Sequence, residues 1–441
     1  MNTFECPFSL HSRKSPSSIA LISTEKKWSY FECEELISGA VNALKSLGIK
    51  KGDPVAILPK ISYETPLIFF ALFRIGAIVC PLNAYLPIDS IPKSLDEIKT
   101  SVLIHADDAP IPNVKQIKVS FSKVLEKAQN SGRSLLEKNS LATYLFTSGT
   151  TSKPKIACHS LGNHYYSALG SNAYIPIHEG DINLLSLPLY HIAGIAILFR
   201  TLLAKGAVAL SDQVKGITHA SMVPTQLHRL LKKETLPNYK HILLGGAIIP
   251  PSLFKESKER NLSVHPTYGM TEMSSQIATH LDDRPFSLGH PLPYRELKIS
   301  SQGEIWVKGK TLFKGYLQED GSLDLPLNNQ GYFETSDLGA YSPSAGLIVK
   351  GRKDRQFISG GENIQPEEIE RHLKGLEGIS FAEVVPKPDV EFGFIPTAYI
   401  EKTKALEDAE IKEYLSLFLP KFKIPTSFHD ASERTRTYKQ M

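Results

Sequence analysis

Between Tyr30 and Gly48, the apolar residues Leu36, Ile37, Ala40, Val41, Leu44 and Leu47 recur at three- and four-residue steps. This spacing lines one face of a helix, and the glycine closes it. The apolar run Val55–Pro59 follows, then a second helical pattern from Leu67 to Ala77, then the apolar run Ile78–Leu82. Helices alternating with short strands that have no polar face predict a mostly parallel sheet covered on both sides. Runs at Ser101–His105, Leu141–Ser148, Ile182–Leu189, Gly206–Ser211, Thr218–Pro224 and His241–Gly246 extend the alternation. In such sheets ligands bind beyond the carboxyl ends of the strands, where the loop leaving Leu141–Phe146 begins.

The pattern changes after about Pro291. Glu296–Leu317 and Gly331–Asp354 read as short strands separated by Gly, Asn and Ser turns, which predicts antiparallel sheet. Pro366 marks a helix start, with Glu367 and Glu368 in the first turn, where they favour the helix dipole. Strands at Phe381–Pro386 and Thr397–Glu401 and a helix over Asp408–Leu419 predict a small α+β unit at the end of the chain.

A chain of 441 residues exceeds one compact core, so two or more domains are expected. A net charge of +4 without a basic, aromatic-interleaved stripe argues against nucleic acid as a partner. The first residues lack the charged start and apolar run of a secretory signal. Ile182–Phe199 is uncharged and near spanning length, but it contains Pro188 and His191 and runs into Arg200. It reads as a buried strand, a loop and the start of a buried helix, with no membrane span. Cys6, Cys33, Cys80 and Cys158 form no C-x-x-C pair, which suits a reduced cytoplasm and argues against a disulfide framework or a zinc site.

The loop TSGTTSKPK, Thr147 to Lys155, combines Gly149, the hydroxyls of Thr147, Ser148, Thr150, Thr151 and Ser152, and two lysines. Converging backbone amides, hydroxyls and a cation are what a phosphate cradle needs, although a polar turn has the same composition. It does not fit the G-x-x-x-x-G-K-[ST] pattern, because Pro154 stands five residues after Gly149. YGMTE, Tyr268 to Glu272, follows a strand-like segment and ends in a Thr-Glu pair suited to a phosphate oxygen and Mg²⁺. ETSDLG places Asp337 in a turn, where it can accept from vicinal hydroxyls, and KGRKD supplies Arg352. FISGGENIQPEEIE carries Gly360 and Gly361, which permit close approach of a cofactor arm.

In this order and spacing these elements resemble the adenylate-forming superfamily of acyl-CoA synthetases, luciferases and adenylation domains, over about Ser29 to Lys439. The middle of the chain, from GNHYYSALG to LYHIAGIAILFRTL, resembles the o-succinylbenzoate–CoA ligases of menaquinone biosynthesis. The resemblance implies an α/β fold: a large N-terminal AMP-binding domain, 1–352, of αβα-layered sheets with a small β-barrel-like part, and a mobile α+β domain, 353–441. It implies a cytoplasmic, AMP-forming acid–thiol ligase that uses ATP, Mg²⁺ and CoA on a small carboxylic acid, and it is compatible with a homodimer. Fatty- or aryl-acid ligases, carrier-loading enzymes and a silent nucleotide-binding relative remain alternatives.

By the same resemblance, Thr147, Ser148, Gly149, Thr150, Thr151 and Lys155 hold the β- and γ-phosphates. Thr271 touches the α-phosphate, Glu272 ligates Mg²⁺, and Asp337 and Arg352 hold the ribose. Gly245, Gly246, Ala247, Tyr268 and Gly269 flank the adenine. Lys439 is the adenylation lysine, although its local sequence would equally suit a solvated terminus. Asp354 is the hinge, and Gly360 and Gly361 line the pantetheine tunnel. His191 and Arg200 are assigned to the acid; a core histidine and a structural ion pair are the competing readings. The guanidinium fork of Arg200 suits the second carboxylate of a dicarboxylic acid. Ser152, Ser336 and Tyr438 stand where the family carries glycine, which raises the prospect of a slowed enzyme.

Overall fold

The computed structural model describes residues 2–85, 88–107, 115–125, 128, 132–147, 155–281 and 287–434. The predicted first helix spans Tyr30–Ser46, and its start is set by a capping box in which Ser29 and Glu32 satisfy each other's backbone amides. The second spans Glu64–Ile75 and ends on Gly76 in the left-handed conformation, the one this residue type adopts at least cost. Both helices are closed by the local rules, and their buried residues join one apolar cluster that also takes in Phe199 from the helix Ile192–Leu203.

Two large sheets form the body. The first has eight strands, in the order Leu323–Asp324, Gly315–Leu317, Lys155–Ser160, Leu141–Thr147, Ile78–Pro81, Pro54–Leu58, Val102–His105 and Ile117–Ser120. Its central strands pair in parallel, as wholly apolar strands between helices should. Lys155–Ser160, however, turns back antiparallel on Leu141–Thr147, with Lys155 opposite Thr147. The predicted phosphate loop therefore joins two hydrogen-bonded neighbours at one sheet end.

The second sheet has nine strands and runs in parallel through Ile182–Leu184, His219–Met222, His241–Leu244 and Val264–Met270, then antiparallel to Ser275–Thr279. The strand expected over Ile182–Leu189 is only Ile182–Leu184, because Pro188 supplies no backbone donor and the chain leaves the sheet before it. The expected barrel-like part is a four-stranded antiparallel sheet that contains Phe333–Ser342 and Gly346–Arg352. Residues from Phe357 onward have their own apolar cluster, built from the helices Pro366–Gly375 and Asp408–Ser416 and a three-stranded sheet. All four cysteines are free and buried. Among the described residues, no helix is long and apolar enough to cross a membrane.

Candidate active site

A cleft of about 450 Å³ opens where the second sheet, the four-stranded sheet and the helix Pro366–Gly375 meet. Gly246, Ala247, Ile248 and Ile249 line one side, Tyr268 and Gly269 another, and Ile348 to Arg352 a third. This volume lies within the range of small-molecule sites. Gly269 is required by its own strand pair: a Cβ there would lie 2.2 Å from the Ser275 carbonyl oxygen. Gly245 sits just behind the wall, backed against Thr267.

Asp337 is at the edge of this cleft, in the strand Phe333–Ser342 and not in the turn expected from ETSDLG. The physical reason is its partner: Asp337 and Arg352 face each other across the antiparallel pair. Ser336, just before it, adopts φ +59°, and the register shifts just after it, between Leu338 and Gly339. Tyr268 donates its hydroxyl to Asp337 Oδ2 at 2.6 Å, and Arg352 Nη1 donates to Oδ1 at 3.3 Å. Burial raises the Asp337 carboxyl above its ordinary range, outweighing the opposite pull of Tyr268 and Arg352. Arg352 also forks onto both oxygens of Asp354, at 3.1 and 3.0 Å. The expected hinge residue thus orients the expected ribose arginine.

Thr271 and Glu272 open a short 3-10 turn directly after Val264–Met270. The Thr271 carbonyl lies 2.7 Å from His159 Nε2, which must carry the proton because a carbonyl only accepts. His159 is buried, and burial pushes its pKa down to about 4, so the ring is neutral. Its Nδ1 has no partner among the described residues. Glu272 accepts from the Tyr316 hydroxyl at 2.6 Å, and the Glu272 carbonyl accepts from the Phe313 amide at 2.8 Å.

A carboxylate with one spare oxygen is a hard donor of the kind Mg²⁺ takes, usually one or two per site, with phosphates and water completing the shell. Among the described residues no group of three or more His, Cys, Asp or Glu could hold a metal alone. Both observations fit a metal that arrives with a nucleotide. Lys155 stands over the Tyr316 ring, 4.8 Å from its centroid. Thr147 Oγ1 donates to the Lys155 carbonyl at 3.2 Å, which closes the base of the loop. Ser148, Gly149, Thr150, Thr151 and Lys439 lie outside the described residues, as do Ser152 and Tyr438.

Gly360 and Gly361 form the two-residue turn of a hairpin between Phe357–Ser359 and Glu362–Ile364, at φ +56° and +88°. Two consecutive positive φ values are what this tight hairpin demands. The tip is exposed and is not part of the nucleotide-sized cleft.

His191 and Arg200 are not brought together. They lie at opposite ends of the helix Ile192–Leu203, about 13 Å apart along the axis. His191 is exposed beside Tyr190. Arg200 is 5% exposed and donates to Ser221 Oγ at 2.5 Å and Gln276 Oε1 at 3.5 Å. No carboxylate pairs with it among the described residues, and burial pushes its pKa down to about 10. Gln276 pairs with Gly269 of the cleft wall, so this buried cation sits one strand behind it. It also borders a small cavity with His219 and His241.

Sequence reasoning missed Tyr316, His159 and the contribution of Arg355, Glu367 and Arg371 to the cleft. The first two lie in strands whose only local signal is apolarity; their partners are distant in sequence and follow from sheet order. Pro366 at a helix start was visible, but not the face that the helix turns to the cleft.

Residues 8–317 match the AMP-binding enzyme family. The chain is 31% identical to a 2-succinylbenzoate–CoA ligase of Bacillus pumilus, over 96% of this chain and 93% of that protein. It is also 31% identical to one of Escherichia coli, over 92% and 90%. Among solved structures, o-succinylbenzoate CoA synthetase of Bacillus subtilis in complex with ATP and magnesium ion superposes with a TM-score of 0.88 at 29% identity, covering 97% of this chain and 96% of that one. The same enzyme with the acyl-adenylate intermediate gives 0.87 at 29% identity, over 98% and 95%. The fold, the cleft and these likenesses agree: the chain belongs to the AMP-binding enzyme family, on the branch that holds the 2-succinylbenzoate–CoA ligases.

Proposed function

We propose that this protein joins 2-succinylbenzoate to CoA in two steps, first forming an acyl-adenylate from ATP with release of pyrophosphate, then transferring the acyl group to the thiol. A buried arginine without a carboxylate partner carries the substrate reading, because it is a cation waiting for an anion. The relatives named above act on the same dicarboxylic acid.

In the first step a carboxylate oxygen attacks the α-phosphorus, and the bond to the bridging oxygen of pyrophosphate breaks. Asp337 would accept from the ribose hydroxyls, with Tyr268 and Arg352 fixing its two oxygens. Tyr268, Gly269 and Gly246 to Ile249 would enclose the base. Thr147, Lys155 and the loop residues Ser148, Gly149, Thr150 and Thr151 would hold the β- and γ-phosphates. Thr271 would meet the α-phosphate, and Glu272 would hold Mg²⁺, which supplies charge neutralisation on the phosphates. Lys439 would bridge the reacting carboxylate and the α-phosphate. In the second step the thiol attacks the acyl carbon and AMP leaves.

Residues 353–441 would act as a mobile domain on the Asp354 hinge, bringing Gly360 and Gly361 to the CoA arm. We place the protein in the cytoplasm, where ATP and CoA are available. The test is pyrophosphate release with ATP, Mg²⁺ and CoA, comparing 2-succinylbenzoate with octanoate, palmitate and benzoate. Strong preference for the dicarboxylate is expected; activity confined to the monoacids would overturn the substrate while keeping the reaction.

A further inference from the structure

Tyr316 stands between the two charged groups assigned above to the phosphates and the metal. It lies opposite Ala157 in the antiparallel pair of Gly315–Leu317 with Lys155–Ser160. Lys155 is two residues from Ala157 on the same strand, hence on the same face and diagonal to Tyr316. Its ammonium rests on the ring, 4.8 Å from the centroid, where the aromatic face attracts a cation. At the other end of the side chain, the hydroxyl donates to Glu272 Oε1 at 2.6 Å. The Phe313 amide, three residues earlier, holds the Glu272 carbonyl at 2.8 Å, so one short segment grips both the backbone and the side chain of Glu272.

The side-chain contacts of Lys155 and Glu272 described above both run to Tyr316. Opposite charges flanking a single ring would neutralise each other if the ring were absent, and each would then be lost to its ligand. We infer that Tyr316 is a positioning residue that aims the Glu272 carboxylate at the metal of a metal–nucleotide complex and keeps it apart from Lys155. The inference rests on the phosphate and metal assignments of the proposed function. It adds that one tyrosine sets the coupling between metal and nucleotide, with Oε1 of Glu272 held and Oε2 left for the ion.

Calorimetric titration of the full-length protein with α,β-methylene-ATP, with and without Mg²⁺, reads this coupling directly as a ratio of two dissociation constants. Tyr316→Phe keeps the ring and deletes one charge-assisted hydrogen bond, so the ratio is expected to fall about tenfold. Affinity for the metal-free analogue and for AMP should not change. Tyr316→Leu also removes the ring, so Lys155 and Glu272 can pair and affinity for the metal-free analogue falls as well. In a Glu272→Gln background, Tyr316→Phe should have no further effect, as residues acting through one contact require. Tyr316→Phe with wild-type coupling, or with AMP affinity falling in step, would overturn the inference alone. A wild-type protein without metal coupling would overturn the phosphate and metal assignments, and the inference with them.

Discussion

Replacing Arg200 with methionine tests substrate recognition through the sign of a stability change. Arg200 is held at 5% exposure with two neutral acceptors and no carboxylate among the described residues. Burial lowers its pKa from 12.5 to about 10. A folded-state pKa below the unfolded one means that folding disfavours the charged form, and the full penalty is present at every pH below about 10. At about 1.4 kcal/mol per unit, that penalty is roughly 3 kcal/mol in the ligand-free protein.

Arg200→Met keeps an unbranched apolar stem but not the guanidinium beyond it, removes the charge and gives up two hydrogen bonds, each with a net value of about 1 kcal/mol. The ligand-free variant should therefore be more stable than the parent by about 1–2 kcal/mol in urea denaturation at pH 7. If Arg200 holds the second carboxylate as proposed, the variant should also lower kcat/KM for 2-succinylbenzoate about 100-fold or more. If Arg200 serves the fold instead, the variant will be destabilised by about 2 kcal/mol or more. Loss of stability together with an unchanged kcat/KM would refute the reasoning completely.

The remaining predictions concern the fold around the site. His159, His219 and His265 are each pushed down to about 4 by burial. Because their folded pKa values lie below the unfolded 6.5, the unfolded chain takes up their protons first, and stability falls as pH drops from about 6.5 towards 4. Between pH 7.5 and 5.5 each should cost about 1 kcal/mol, so these three should contribute roughly 3–4 kcal/mol to the loss seen by urea denaturation. The lowered pKa values of His11, His164, His241 and His372 add to that loss, and His219→Gln should reduce the slope by about one proton. Ser336 sits at φ +59°, a conformation that costs a residue with a Cβ about 1–2 kcal/mol. Ser336→Gly keeps the backbone bond to Glu304 and loses some chain entropy on folding, so a net gain of about 0.5–1 kcal/mol is expected by thermal unfolding. A destabilised variant would mean that the serine side chain has a role here.

Much of the fold was legible because the early elements obey local rules. The helices Tyr30–Ser46 and Glu64–Ile75 follow from apolar spacing along one face, with a glycine after each, and the structure adds a capping box at the start of the first. The strands Pro54–Leu58 and Ile78–Pro81 follow from unbroken apolarity, since a strand buried on both faces has no reason to alternate. Asp337 was misread as a turn residue because its neighbours Thr, Ser and Gly are turn formers by composition. The pairing with Arg352, fifteen positions on, makes it a strand, and the local irregularity is confined to Ser336 and the register shift beyond it.

The site divides along the same line. Residues proposed for a role by their type, such as Asp337 for hydroxyls and Glu272 for a hard cation, stand out in a short motif. Residues whose role depends on what lies across a sheet do not. Tyr316 in FKGYL has the signature of any strand aromatic, and His159 that of any buried histidine. Each acquires meaning only because Lys155–Ser160 turns back beside Leu141–Thr147 and receives Gly315–Leu317 on its other edge. That arrangement brings the strand after the phosphate loop against both Tyr316 and the Thr271–Glu272 turn. The groups expected to meet the nucleotide are thus set in place by two side chains that need not touch it. Substitutions at either should reach the chemistry through geometry, with the charges themselves intact.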